Sequence, residues 1–218
     1  MNNNYFKGLP IQGRLNDFNK HYLNRIIETI DYAVDEHKRT YGLRVDLRFP
    51  SICQEHDCLS RDEIINEAPN RNKLISKFIE SLKAKVCAKD KQDRKLDKRV
   101  WQSNIRYIWC RERKSSENDH YHVVLFFNKD KFHLPGNYQN SQSLYSLITS
   151  AWISALGLKY YNKRGLVQCA QGTTKYLDKN SADFDEEYSK LFKHVSYLAK
   201  KHTKHYGEGN RNFGCSQR

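Results

Sequence analysis

Acidic residues are the scarce class in this sequence: 25 Asp and Glu stand against 38 Lys and Arg, a formal net charge of +13 with histidine neutral. An imbalance of that size argues for a polyanionic partner, nucleic acid before any other. Long apolar runs are also missing. The longest, such as Val123 to Phe127, fall far short of the roughly 20 residues that a helix needs to cross a bilayer. The stretch Met1 to Gly8 is Asn-rich and polar, without the apolar centre of a secretory signal. Cysteine is sparse and scattered, with six residues at Cys53, Cys58, Cys87, Cys110, Cys169 and Cys215. With no export signal they read as reduced cytoplasmic thiols and not as a disulfide framework. No internal repeat and no P-loop is visible.

What is present suits one domain of ordinary size with a helical extension. Hydrophobic residues make up 38% and aromatic residues 12% of the 218 positions, enough apolar surface for a core without disulfide or metal staples. Phe18, Tyr22, Ile26, Ile27, Ile30, Ala33 and Val34 recur at helical spacing and predict an amphipathic helix over 15–38, capped by Asn16 or Asp17 and closed near Gly42. Over 42–50 the period changes: Leu43, Val45, Leu47 and Phe49 alternate with Arg44, Asp46 and Arg48, a half-buried strand stopped by Pro50. The loop that follows holds Cys53, His56 and Cys58, too close together to hold one tetrahedral zinc ion comfortably and without a second Cys/His pair at finger spacing. Ser60 and Glu63 form a capping box. Leu74, Ile75, Phe78, Ile79, Leu82 and Val86 share one face of a helix over 72–88, and the charged run 89–99 reads as a solvated linker or a DNA-backbone contact.

Two β-branched and aromatic segments, 105–112 and 120–127, flank a polar turn over 113–119 and predict an antiparallel hairpin. Further helices are expected over 143–156, ended by Gly157, and over 184–201, with a short strand at 167–170 between them. Residues i and i+2 of a strand face the same way, so His120 and His122 present their imidazoles side by side. Glu112, on the preceding strand, can join them to make a His-His-carboxylate site with positions open for water and phosphate oxygen. Val124 and Phe126 continue the histidine face, so it points inward, where imidazoles need partners. Tyr197 stands in a helical run with Lys200 and Lys201 one turn on. A phenol, with a pKa of about 10, needs such cations or a metal before it attacks anything at neutral pH. The bland readings are a surface His-x-His pair and a tyrosine of the amphipathic core. Tyr188, Tyr206 and Tyr176 are the competing nucleophiles, Tyr188 lying roughly half a turn out of phase with Tyr197 at about 100° per residue.

This ordered set resembles the HUH endonucleases, which comprise rolling-circle replication initiators, relaxases and related transposases. More narrowly, Arg44 to Pro50, Trp109 to Arg113, Tyr197 to Lys200 with Lys204, and Arg211 to Gly214 resemble the YagK/YfjJ-like, filamentous-phage replication-initiator-like proteins of phages and phage satellites. The likeness runs from about Gly42 to the C-terminus. It implies an α+β fold, a central antiparallel β-sheet flanked by helices and similar to an RNA-recognition fold. The layout would be an N-terminal helical extension (1–41), a nuclease domain (42–206) and a basic flexible tail (207–218). It further implies that Mg2+ or Mn2+ held by His120, His122 and Glu112 polarises a scissile phosphate, and that Tyr197 attacks to form a covalent 5′-phosphotyrosine with Lys200 beside it. Glu112 is the ligand that a one-residue register slip would turn away.

The implied protein is a site-specific DNA nickase of a bacterial host cytoplasm. It would initiate replication of its own element or nick a competing phage genome, at a single-stranded, supercoiled or hairpin site. Any unwinding would be borrowed from a host or phage helicase. Lys201, Lys204, Arg211 and Arg111, with the basic runs 89–99 and 159–164, would meet phosphates, while Trp101, Tyr160 and Tyr161 would stack unpaired bases. The alternatives from other classes are a non-catalytic basic DNA-binding regulator on the same fold and a structural zinc protein.

Overall fold

The computed structural model describes residues 4–49, 71–112, 120–158, 165–170, 175–204 and 211–217. The Cys53–His56–Cys58 loop, the Ser60 capping box, the turn over 113–119, the basic run 159–164 and Tyr206 lie outside the described residues. The chain forms two compact units: one from Met1–Asp46, Trp101–His133 and Cys169–Arg218, the other from Leu47–Val100 and Leu134–Gln168.

In chain order the elements are β1 (Tyr5–Phe6), β2 (Leu9–Pro10), α1 (Lys20–Glu36), β3 (Arg39–Arg48), α2 (Arg71–Lys95), β4 (Arg106–Glu112), β5 (His120–Asn128), α3 (Leu144–Ala155), β6 (Val167–Cys169), β7 (Lys175–Asp178), α4 (Phe184–Ser196) and β8 (Phe213–Cys215). The main sheet runs β6-β3-β5-β4-β8, with β7 also on β3. The β3–β7, β4–β5 and β4–β8 pairs are antiparallel. The fold is therefore α+β with a mostly antiparallel sheet, as expected. Among the described residues no helix is long and apolar enough to cross a membrane.

In the first unit, α1 starts later than the sequence pattern suggests. Leu15–Asp17 is a separate 3-10 turn, and the cap is Asn19, whose side-chain oxygen accepts from the backbone N–H of His21 at 3.0 Å and Tyr22 at 3.2 Å. Those are two of the donors that a helix start otherwise leaves unpaired. Gly42 does not end the helix but lies inside β3, where a Cβ would sit 3.5 Å from the Phe126 ring and 3.6 Å from Leu191. The apolar stripes of α1 (Leu23, Ile26, Ile30) and α4 (Leu191, Phe192, Val195) meet Ile108, Val124 and Phe126 of the sheet in one core. Each such side chain contributes about 1.5–3 kcal/mol on leaving water. Phe6, Ile11 and Phe18 belong to the same core, so residues 1–41 help build this unit.

The end of the chain is more ordered than its Gly, Asn and Arg content suggests. Phe213 and Cys215 are buried and pair with Cys110 and Ile108, and Phe213 stacks on Tyr22 with centroids 4.2 Å apart. Alternation of Phe213 and Cys215 about Gly214 supplies the two-residue period that composition hides.

In the second unit, Leu74, Phe78 and Leu82 of α2 are fully buried, as are Ile148 and Trp152 of α3. Phe78 meets Trp152 edge-on, and the Trp152 indole N–H donates to the Arg48 carbonyl at 2.8 Å. Ser143 caps α3 through the Ser146 N–H. The helix read as ending at Ala88 continues to Lys95. Lys, Gln and Arg are good helix formers, and a Lys89–Asp93 pair one turn apart supports the extension.

Gly214 has no room for a side chain: a Cβ there would lie 2.7 Å from the Trp109 indole. Gly214→Ala is therefore expected to cost about 1–3 kcal/mol by overpacking, read as a lower midpoint in urea. A midpoint equal to wild type would contradict the β4–β8 packing.

Candidate metal centre

The hairpin register decides the site. Glu112 lies opposite His120 and Cys110 opposite His122, so strand alternation puts all four on the face that carries Ile108, Val124 and Phe126. His120 Nε2 lies 3.1 Å from His122 Nε2, and His122 Nε2 lies 3.2 Å from Glu112 Oε2. One ligand atom from each of the three residues falls within 4.8 Å of the others. Two donors at right angles on a cation with bonds of 2.0–2.1 Å sit about 2.9 Å apart, and tetrahedral zinc would separate them by about 3.3 Å. The observed spacing fits a single divalent ion.

A residue not singled out from the sequence completes the argument. Asp46 of β3 lies with Oδ1 2.6 Å from His122 Nδ1. Arg44 Nη2 is 2.9 Å from the same nitrogen and Arg44 Nε is 3.4 Å from Asp46 Oδ1. One ring nitrogen cannot donate to a carboxylate and accept from a guanidinium at once. The shorter contact is the His122–Asp46 bond, with Nδ1–H donating and Arg44 paired with the carboxylate. With the proton on Nδ1, neutral His122 aims the Nε2 lone pair at Glu112 and His120. Three lone pairs then converge, and that set needs a shared positive charge, either a proton or a cation. An outer carboxylate that fixes the tautomer of a ligating histidine is a recurrent feature of metal sites.

The electrostatics agree. Burial alone would lower the His122 pKa, but its bonds to Asp46 and Glu112 and the Asp46 charge outweigh that and raise it above the usual histidine value. Burial would raise Glu112, yet hydrogen bonds from His122 and Thr203 with the charges of His122 and Lys204 hold it at about 2. Burial likewise works against the Asp46 charge, and His122 and Arg44 bring that carboxyl below its usual range.

Tyr197 stands at the edge of this cluster. Its hydroxyl donates to Glu112 Oε2 at 3.3 Å, and its ring meets His122 edge-on at 6.0 Å. Arg44 and Lys200 lie 5.3 and 5.0 Å from the ring centroid. Burial, then the Glu112 and Cys110 charges, pushes the phenol up to about 12 against the opposing Arg44. Forming the phenolate therefore requires more positive charge at Glu112.

The helix predicted through Lys201 stops at Ser196, and Tyr197–Ala199 is a 3-10 turn after which Lys200 is extended. A backbone bond from Asn19 N–H to the Ala199 carbonyl at 2.9 Å and a bridge between Phe18 and Lys200 hold this turn. Lys200 keeps its place beside the phenol, but Lys201 does not. Its ammonium reaches the Asn16 carbonyl at 3.1 Å because the chain has left helical geometry.

Two expected phosphate contacts are buried. Lys204 donates to the Lys200 carbonyl at 2.8 Å, and its charge acts on Glu112 and Cys110. Arg111, one residue out of phase with Glu112 on β4, faces the other side of the sheet and donates to Asn212 Oδ1 at 3.1 Å. Arg211 is exposed and Trp101 is 36% exposed. Tyr188 donates to Asp31 at 2.7 Å, which with burial raises its pKa. Tyr176 donates to the His133 carbonyl.

A His-His-Glu cluster on the central hairpin of an α+β sheet, with a tyrosine against its carboxylate, defines a candidate metal-binding protein. The chain belongs to the family described as the YagK/YfjJ C-terminal domain, whose pattern matches residues 1–216. The likeness thus includes the first forty residues, which the resemblance read from the motifs had left out. Over 196 residues the chain is 37% identical to YagK of Escherichia coli (strain K12), covering 90% of this chain and 92% of that protein. It is 35% identical over 201 residues to YfjJ of the same organism, covering 90% and 93%. Both relatives are described as uncharacterized. No solved structure gives a significant match.

Asp46→Asn should weaken Mn2+ binding by about 10–100-fold, measured by calorimetric titration. The raised His122 pKa adds a pH signature. In metal-free protein its contribution to stability is fully present below about 6.5, the unfolded value, and is lost as pH rises through the higher folded value. The melting-point gain from Mn2+ should accordingly be larger at pH 8 than at pH 6. A gain independent of pH would remove His122 from the ligand set.

Proposed function

We propose that the protein is a metal-dependent, site-specific DNA nicking endonuclease of the HUH type that forms a covalent 5′-phosphotyrosine. The observation that carries this reading is the meeting of the Glu112, His120 and His122 ligand atoms with the Tyr197 hydroxyl, 3.3 Å from Glu112 Oε2. His120, His122 and Glu112 would hold Mn2+ or Mg2+, which supplies charge neutralisation to a phosphodiester and to the phenol. Two imidazoles weigh toward Mn2+, because Mg2+ favours an all-oxygen shell.

The chain's own groups do the rest. Asp46 holds the His122 ring and its tautomer. Arg44 and Lys200, over the Tyr197 ring, favour the phenolate by cation–π attraction and by charge. The Tyr197 phenol gives its proton to solvent, its oxygen attacks phosphorus, the bond from phosphorus to the 3′ oxygen breaks, and the leaving 3′ oxygen takes a proton from solvent. The 5′ phosphate remains on Tyr197, available for rejoining to a 3′ hydroxyl. A single such tyrosine suits one nick per turnover. The net charge of +13 brings the DNA. Whether the target is the element's own origin, for rolling-circle replication, or a competing phage genome is decided by the sequence cut.

The test incubates wild type, Tyr197→Phe and His120→Ala with supercoiled and single-stranded DNA from both sources, in Mn2+, Mg2+ or EDTA, on denaturing gels that retain protein-DNA adducts. Expected are nicking and an adduct in wild type, stronger with Mn2+ and absent with EDTA. Tyr197→Phe should form no adduct, and His120→Ala should lose at least a hundredfold in rate. Metal-dependent nicking that survives Tyr197→Phe would move the nucleophile elsewhere. DNA binding with no nick on any substrate would favour the non-catalytic regulator.

A further inference from the structure

The second unit carries a basic surface on α2, part of it within the run 89–99, that takes no part in the chemistry at Tyr197. Along α2, Lys73, Lys77, Lys83, Lys91, Arg94 and Lys95 are all exposed, while Leu74, Ile75, Phe78, Ile79, Leu82 and Val86 are buried on the opposite side. None of the six cations makes an ion pair among the described residues. The nearby Lys89 and Asp93 pair with each other, and Glu80 is the one acid on the exposed stripe.

At about 100° per residue, Lys73, Lys77, Lys91 and Lys95 fall along nearly one line of the helix. They form two clusters, with Lys77 and Lys91 roughly 20 Å apart along the axis at about 1.5 Å per residue. Between the clusters the exposed positions are Glu80 and Lys83, on the turns next to Lys77, and then Ala84, Cys87 and Ala88, so the stretch leading up to Lys91 exposes small side chains.

We infer that this face of α2 docks double-stranded DNA. The major groove is about 12 Å wide and admits an α-helix. A helix crossing it would lay the Ala84–Ala88 stretch over the groove and set a cation cluster on each phosphate wall. A flexible single strand has no paired walls at a set spacing and gains less from this layout. The inference goes beyond the nicking reading and does not depend on it, since duplex docking requires neither the metal nor Tyr197.

The test titrates a fluorescent 20-base-pair duplex, and the same strand unpaired, with wild type and Lys77→Glu/Lys91→Glu/Lys95→Glu protein in EDTA at several salt concentrations. Each lost phosphate contact lowers the slope of log affinity against log salt by about 0.9. The triple variant should lose two to three units of slope on the duplex and at least tenfold in affinity at 0.1 M salt, with a smaller loss on the single strand. Glu80→Lys should tighten duplex binding, a gain that misfolding cannot mimic. Circular dichroism spectra should match wild type in both. An unchanged duplex slope in the triple variant, no gain in Glu80→Lys, or an equal loss on the single strand would each overturn the inference. Absence of nicking in wild type with these binding changes intact would sink only the catalytic reading.

Discussion

The first unit is organised around one costly act, the complete burial of the Glu112 carboxylate. Removing a charge from water costs several kcal/mol unless charge and hydrogen bonds replace the lost hydration. Every polar group nearby does part of that work. His122 lies against Oε2, Tyr197 donates to the same oxygen, the Cys110 thiol faces Oε1, and Lys204 sits buried close enough to act on the group. His122 is in turn held by Asp46, and Asp46 by Arg44. Remove the carboxylate and this chain of contacts loses its reason to converge. The same convergence is what makes a cation welcome there, so the stabilising requirement and the candidate chemistry share one set of atoms.

Position along the chain matters as much as charge. Tyr197 reaches Glu112 because α4 stops one residue earlier and the chain tightens into a 3-10 turn tied to Asn19 and Phe18. Had the helix continued, Lys200 and Lys201 would both lie a turn beyond the phenol. Instead Lys200 stays over its ring and Lys201 leaves. The segment just before α1, ahead of the family motifs in sequence, therefore helps place the tyrosine.

Much of this was legible in the sequence where the signal was periodic. The 3.6-residue stripes of α1, α3 and α4 and the paired strands around 113–119 were visible, and with them the shared face of Glu112, His120 and His122. Asp46 escaped notice because alternation in β3 made Arg44 and Asp46 look like the solvent side of a half-buried strand. In the folded chain that side faces the triad, and only pairing order across a sheet can reveal it. The short strands β1 and β2 are too brief to give a period, and the alternation in β8 sits in a segment whose composition reads as a tail. The continuation of α2 through a charged run was hidden because charge alone does not separate a solvated helix from a linker. Lys204 and Arg111 read as surface cations because composition carries no information on burial.

The first unit is drawn from three separated stretches of chain, the last beginning at Cys169, whereas the second unit's final stretch ends at Gln168. During synthesis the helical unit can therefore close while the sheet unit still lacks α4, Tyr197 and β8. The ligands of the triad emerge from the ribosome long before the tyrosine that faces them. Nascent or truncated chains would display basic surface and the histidine pair without a nucleophile, so the complete constellation comes into being only once Tyr197 has emerged.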